Sequence, residues 1–183
     1  AQCGPAVAVW RARMAPEGFD ARRSALSRRY SYLLWRATMA DPLLRPRSWH
    51  VPGELDLGAM RIGADSLLGE HDFAAFCRRP PGHDGPITRR VTDVRLRTAA
   101  CGSRLAVEIE AQAFCHQMVR SIVGALVAVG QSKLTAADLL SLLRSGSRAG
   151  SPPVAPPQGL CLELVRYPPE LVPGGIVGGP SAP

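Results

Sequence analysis

Arg120 is the only formally charged residue between Glu110 and Lys133. It sits in a run, 111–130, whose apolar residues recur at helical spacing on more than one face. Met118, Ile122, Ala125 and Val129 form one stripe, and Val119, Val123 and Leu126 form its neighbour. A helix apolar on most sides is normally buried, and a guanidinium carried into a core needs a carboxylate, because arginine keeps its proton and an unpaired buried charge is costly. Two readings of Arg120 follow. Either it runs out to water beside Gln117 and Ser121, or it holds a catalytic carboxylate in place.

A second set of chemically useful residues lies in 19–36, which is both basic and aromatic. Arg22, Arg23, Arg28 and Arg29 precede a strand pattern in which Tyr30, Tyr32 and Leu34 share one face and Ser31, Leu33 and Trp35 the other. Arginines beside a tyrosine can hold phosphate and stack a single-stranded base. An amphipathic core strand with a solvated entrance has the same pattern. The stretch 78–90 carries Arg78, Arg79, Arg89 and Arg90 among prolines and glycines and reads as a mobile basic loop. His71, Asp72, His83 and Asp84 lack helical ligand spacing and read as solvated surface rather than as a metal site.

The net charge of +7 favours a polyanionic partner, nucleic acid above all. Lys133 is the only lysine, so genome composition also contributes to the arginine count. With 46% hydrophobic residues in 183, the chain can bury a core as one domain or as a large part of a two-lobed one. Cys3, Cys77, Cys101, Cys115 and Cys161 show no C-x-x-C pair. Neither a zinc site nor a disulfide framework is expected, and a reducing cytoplasm fits. The apolar run 122–129 is too short to span a bilayer. The chain starts at Ala1 without a methionine, close to a strand pattern, and is expected to be truncated at its front.

These residues need a scaffold. Residues 6–13 suit a short strand, and 55–68 a helix with Leu57, Met60, Ile62 and Leu67 among its apolar positions. Residues 91–98 and 105–111 alternate around the turn 100–103, predicting an antiparallel hairpin that leads into the central helix. Gly130 is a candidate helix-terminating glycine, and Thr135 caps a helix through Leu143 with Asp138 in its first turns. Residues 145–158 read as a loop, 159–168 as a closing strand, and 169–183 as a disordered tail behind a 1–168 domain. The fold class expected is α+β, an antiparallel sheet with helices packed on one face.

Four pieces, in order, resemble the tRNA pseudouridine synthase A family from about Ala6 to Pro168. They are Phe19-Asp-Ala-Arg22 with Arg28-Arg-Tyr-Ser-Tyr32; Leu68-Gly-Glu-His-Asp-Phe73; Ala113-Phe-Cys-His-Gln-Met-Val-Arg-Ser-Ile-Val-Gly124; and Gly159-Leu-Cys-Leu162 with Tyr167-Pro168. The resemblance implies the C-terminal, ferredoxin-like half of a pseudouridine synthase, usually a homodimer. Such an enzyme isomerises uridine to pseudouridine in the tRNA anticodon stem-loop without metal or organic cofactor. It also implies roles for individual residues. Arg120 matches the partner of the catalytic aspartate, Tyr30 the tyrosine that stacks on the target base, and Leu160 an apolar wall of the uracil pocket. His116 lies in the third piece and, with Arg22, Arg28, Arg29, Arg78, Arg89 and Arg90, completes the expected tRNA-contacting set.

The family's aspartate lies in a G-R-T-D-A-G motif that these residues lack. Asp93, in Val91-Thr-Asp-Val-Arg95, has no flanking glycines and reads as structural. The chain by itself is therefore expected to be inactive. A non-catalytic RNA-binding remnant and a scaffold of the same fold are the alternatives.

Overall fold

Strand β1 (Ser27–Trp35) is the centre of the sheet. The computed structural model describes residues 3–79, 81–82, 85–172 and 176–178. Along the chain follow β2 (Trp49–His50), α1 (Leu57–Asp65), β3 (Gly69–Asp72), β4 (Thr88–Thr98), β5 (Arg104–Ala111), α2 (Met118–Gly130), α3 (Ala136–Ser145), β6 (Leu160–Arg166) and β7 (Ile176–Gly178), with single 3₁₀ turns at Ala74–Phe76 and Pro157–Gly159. The sheet order is β3-β4-β5-β1-β6-β7, antiparallel throughout, and β2 pairs with the end of β1 in parallel. This is the expected α+β architecture.

Period-two alternation sends Tyr32 and Leu34 of β1, and Leu105, Val107, Ile109 and Ala111 of β5, into one fully buried face. Helix α2 packs in the core with them, and every one of its residues is buried except Arg120. Each fully buried Leu, Ile or Met here contributes about 1.5–3 kcal/mol of hydrophobic stabilisation. Helix α1 starts at Asp56, whose carboxylate accepts from the Ala59 amide, and buries Met60 while Ile62 faces water. Helix α3 starts in a reciprocal cap between Thr135 and Asp138 and buries Leu139 and Leu143, one turn apart.

Two bulges break the alternation. One lies between Arg29 and Tyr30 in the β1–β6 ladder, the other between Val91 and Asp93 in β4–β5. Without the first, Leu160, Leu162, Leu164 and Arg166 would all face one way. With it, Leu160 pairs with Tyr32 and Leu162 with Tyr30, whereas Leu164 pairs with Arg29 and Arg166 with Ser27. The strand changes face in mid-course.

Several expectations change. Residues 6–13 form no strand. Arg89 and Arg90, assigned to a loop, belong to β4, and part of the 169–183 segment forms β7 against β6. His83, Asp84 and residues 173–175 and 179–183 lie outside the described residues. Gly130 remains inside α2, where a Cβ would sit 2.7 Å from the Met60 sulfur, and the left-handed residue after the helix is Ser132. Cys77 and Cys115 form a disulfide, because the loop before α2 folds back over the 3₁₀ turn. No helix among the described residues is long and apolar enough to cross a membrane.

Candidate functional site

Tyr30, Leu160 and Arg120 come from three elements, and the sheet register and α2 bring them to one side of the sheet. Tyr30 and Tyr32 alternate onto the α2 face, and the bulge directs Leu160 and Leu162 to the same face. Tyr30 and Leu160 are partly buried against the core. The Tyr30 ring meets Phe114 edge-on with centroids 5.1 Å apart, which fixes its plane and leaves it part-exposed.

Arg120 has one anchored nitrogen. Its Nε donates to the Ala155 carbonyl at 2.6 Å, and the Ala155 amide returns a bond to the Arg120 carbonyl at 3.1 Å. The next carbonyl, that of Pro156, accepts from the Tyr32 hydroxyl at 2.6 Å. Burial pushes the Tyr32 hydroxyl pKa up, and the Arg120 charge nearby offsets part of that. Tyr32 is therefore a neutral donor. Among the described residues Arg120 makes no ion pair with a carboxylate, and its terminal nitrogens carry no hydrogen bond.

Two glycines allow this close approach. A Cβ on Gly124 would overlap the Pro153 carbonyl, and one on Gly159 would lie 2.7 Å from the Tyr32 ring. The 153–160 segment is thus pressed onto α2 and β1, and it delivers Leu160 to its place. Neither glycine's role was apparent from sequence, although both fall inside the quoted motifs.

The six-residue loop 112–117 gathers the basic groups. The Gln112 carbonyl accepts from Arg28 at 2.9 Å, the Gln112 amide donates to the Arg90 carbonyl at 3.2 Å, and Phe114 packs on Tyr30. Cys115 is joined to Cys77, and the His116 carbonyl accepts from the Arg78 amide at 2.9 Å. Arg28 also reaches the Arg22 carbonyl. There Asp20 accepts from the amides of Arg22 and Arg23, bonds that hold its pKa below the usual range. Arg22, Arg78, Arg90 and His116 are exposed. The 3.7 Å pair between Arg90 and Glu70 leaves both more than half exposed, a weak tie.

Arg29 and Arg89 are placed differently. Arg89 donates to the Thr88 carbonyl at 2.6 Å from β4. Arg29 faces away from Tyr30 and donates twice to buried Glu110, at 2.9 and 2.7 Å, while Arg166 and Ser27 donate to the other carboxylate oxygen at 2.9 and 2.8 Å. Burial would raise the Glu110 pKa, but the bonds from Ser27, Arg166 and Arg29 outweigh it and hold it at about 2. Asp93 pairs with Arg95 at 2.8 Å beside the β4 bulge. In the second motif, Asp72 accepts from the amides of Ala74 and Ile87 and so closes the turn below Cys77. Among the described residues no three His, Cys, Asp or Glu side chains converge as metal ligands.

The family model described as tRNA pseudouridine synthase matches residues 64–168. The chain is 44% identical over 165 residues to a tRNA pseudouridine synthase A of Leifsonia xyli subsp. xyli, covering 90% of this chain and 56% of that protein. It is 46% identical over 157 residues to the one of Frankia casuarinae, covering 85% and 56%. With the one of Geobacter sulfurreducens it shares 40% over 163 residues, covering 89% and 66%. The chain thus spans between half and two thirds of the length of these curated relatives. A family match over more than half of the residues, running from α1 through Arg120 and Leu160 to the end of β6, shows that this chain belongs to the tRNA pseudouridine synthase family.

Proposed function

We propose that this chain forms one wall of an active site that isomerises uridine to pseudouridine in the tRNA anticodon stem-loop. The observation that carries the reading is the placement of Arg120. It is the one unburied residue of α2, its Nε is anchored to Ala155, and its remaining nitrogens are unpaired among the described residues, on the side of the sheet that carries Tyr30 and Leu160. A planar donor fixed at one end presents its other edge to a carboxylate in a defined orientation. The carboxylate comes from a segment outside these residues, which contain no G-R-T-D-A-G.

In this reaction the bond from ribose C1′ to N1 of the base breaks, the uracil turns, and C1′ joins C5, whose proton is then lost while N1 gains one. The protein contributes position and electrostatics. Tyr30 stacks on the flipped base, Leu160 closes the apolar side of its pocket, and Arg120 keeps the catalytic carboxylate ionised and aimed. Arg22, Arg28, Arg78, Arg90 and His116, gathered around the 112–117 loop, hold the tRNA backbone, with Arg89 contributing charge behind them, whereas the Arg29 charge is taken up by Glu110. The whole protein works as a homodimer in the cytoplasm and needs neither metal nor organic cofactor. The chain by itself binds tRNA and does not turn it over.

The test uses the full-length protein and unmodified tRNA, comparing single-turnover rates at saturating enzyme with equilibrium affinity. Arg120→Ala and Tyr30→Ala are expected to lose roughly 30- to 1000-fold in rate, about 2–4 kcal/mol of transition-state stabilisation. Affinity, spread over many phosphate contacts, should change far less. Arg120→Lys keeps the charge but not the two-pronged contact. If it turned over like the parent, Arg120 would not be the carboxylate's partner.

A further inference from the structure

The disulfide between Cys77 and Cys115 joins the 3₁₀ turn Ala74–Phe76 to the 112–117 loop, whose Phe114 packs on Tyr30. Cys77 is fully buried at the end of the 3₁₀ turn Ala74–Phe76, and Cys115 is part-exposed in the 112–117 loop. Their Cα atoms are 5.8 Å apart across 38 residues of chain, a separation a disulfide spans without moving the backbone. Next to the bridge, the Arg78 amide bonds to the His116 carbonyl at 2.9 Å, and Phe114 packs edge-on against Tyr30. The other end of the loop is held through Gln112, whose carbonyl accepts from Arg28 and whose amide donates to the Arg90 carbonyl, and Phe114 and Cys115 rest against the edge of the core. It contributes no side chain to the fully buried core, and it ends at Gln117, a left-handed residue that precedes α2 without a side-chain cap.

We propose that Cys77 and Cys115 are a reversible redox site, exchanging with low-molecular-weight disulfides and thiols, whose oxidised form locks the 112–117 loop and holds Phe114 against Tyr30. The inference rests on the reading of Tyr30 as the base-stacking residue only for its effect on turnover. Part-exposed Cys115 is the point of entry. Its thiolate attacks one sulfur of a disulfide RSSR, forming Cys115–S–S–R and releasing RS⁻. The Cys77 thiolate then attacks the Cys115 sulfur and expels the second RS⁻. Two protein thiols are oxidised by two electrons, RSSR is reduced to two RSH, and the two thiol protons end on the released groups. A dithiol runs the exchange backwards. Disulfides that form in a reducing compartment are usually transient and redox-sensing, and this one ties a partly exposed loop to a buried turn.

The experiment equilibrates the full-length protein in glutathione buffers of varied thiol-to-disulfide ratio, quenches with alkylating agent and maps Cys77 and Cys115 by peptide mass. The expected result is a cooperative change from two alkylated thiols to one linked peptide pair, while exposed Cys101 and Cys161 follow separate curves. Side-chain NMR of Tyr30 in the same samples should shift with the Cys77–Cys115 state, and Cys77→Ser and Cys115→Ser should each remove that shift. The single-turnover rate on tRNA should fall roughly ten- to a hundredfold on reduction, the upper figure being the cost of misplacing a positioned group by about an ångström. Two free thiols across the whole buffer range, or a Tyr30 signal indifferent to oxidation, would overturn the redox site. A Tyr30 shift with an unchanged rate would instead sustain the redox site and overturn the role of Tyr30 in turnover.

Discussion

Replacing Glu110 by glutamine should destabilise the protein at neutral pH and have progressively less effect as the solution is acidified. Glu110 lies on β5 and accepts from Ser27 and Arg29 of β1 and from Arg166 of β6, so one carboxylate ties three strands beside the bulge that turns β6 over. Its pKa falls from the usual 4.5 to about 2 in the folded state. At about 1.4 kcal/mol per unit, that shift corresponds to about 3 kcal/mol of stability at neutral pH. The Arg29 and Arg166 side chains are 26% and 39% exposed, so water screens part of the attraction and about 2–3 kcal/mol is the expected loss. For a chain of this size that is roughly 5–10 °C in Tm.

The direction with pH follows from the depressed pKa. The stabilisation is fully present above the unfolded-state value of 4.5 and is lost as pH falls through the folded-state value of about 2. Urea denaturation followed by circular dichroism on parent and Glu110→Gln, at pH 7 and at pH 3, tests this. The difference between the two proteins should shrink at pH 3 to less than half of its neutral value. No difference at pH 7, or one of the same size at both pH values, would refute the charge-based account of these bonds.

Two further outcomes are expected. Gly124→Ala should displace the 153–156 segment, because the new Cβ overlaps the Pro153 carbonyl, and so break the Arg120–Ala155 and Tyr32–Pro156 bonds. Folding should lose about 1–3 kcal/mol in thermal melts, and single-turnover rates in the full-length protein should fall by more than the unfolded fraction explains; a full rate would show that the segment does not position the site. Arg78→Ala with Arg90→Ala should lower the slope of log affinity against log salt for tRNA by about two if both touch phosphate, measured by filter binding between low and moderate salt, and an unchanged slope would remove both from the interface.

Much of the frame was legible because it rests on local patterns. The hairpin 91–111 alternates in period two, Thr135 and Asp138 spell a reciprocal cap, and the apolar stripes of α2 surround a single charge. What sequence could not show depends on contacts between distant segments. The β6 bulge leaves no local signature, because Leu160, Leu162, Leu164 and Arg166 read as one face of a plain strand until Arg29 and Tyr30 are laid beside them. The Cys77–Cys115 bridge has no motif spacing and arises from the loop before α2 folding back over a 3₁₀ turn. Arg29 looked like its neighbour Arg28, yet alternation sends it to the opposite face, where Glu110 takes it. Residues 6–13 carried a valine-rich pattern, but they find no partner strand, and Val7, Val9 and Trp10 are exposed.

The two faces of the sheet therefore have different tasks, and the bulge at Arg29 and Tyr30 is what separates them. On one face, Ser27, Arg29, Glu110 and Arg166 form an ionic lock that fixes the register of β6 against β1. On the other, that register decides whether Leu160 or its neighbour Cys161 lies beside Tyr32, since a slip of one residue exchanges the faces. The 153–160 segment then carries the constraint to α2, because Tyr32 and Arg120 bond to adjacent carbonyls in it. Arg120 is aimed by a carbonyl that the sheet register puts in place, and Tyr30 by a phenylalanine on a loop pinned through Cys115. Residues more than a hundred positions apart in sequence are thus tied into one geometry through the lock, the bulge and the loop. Their individual substitutions should therefore be non-additive when turnover is measured.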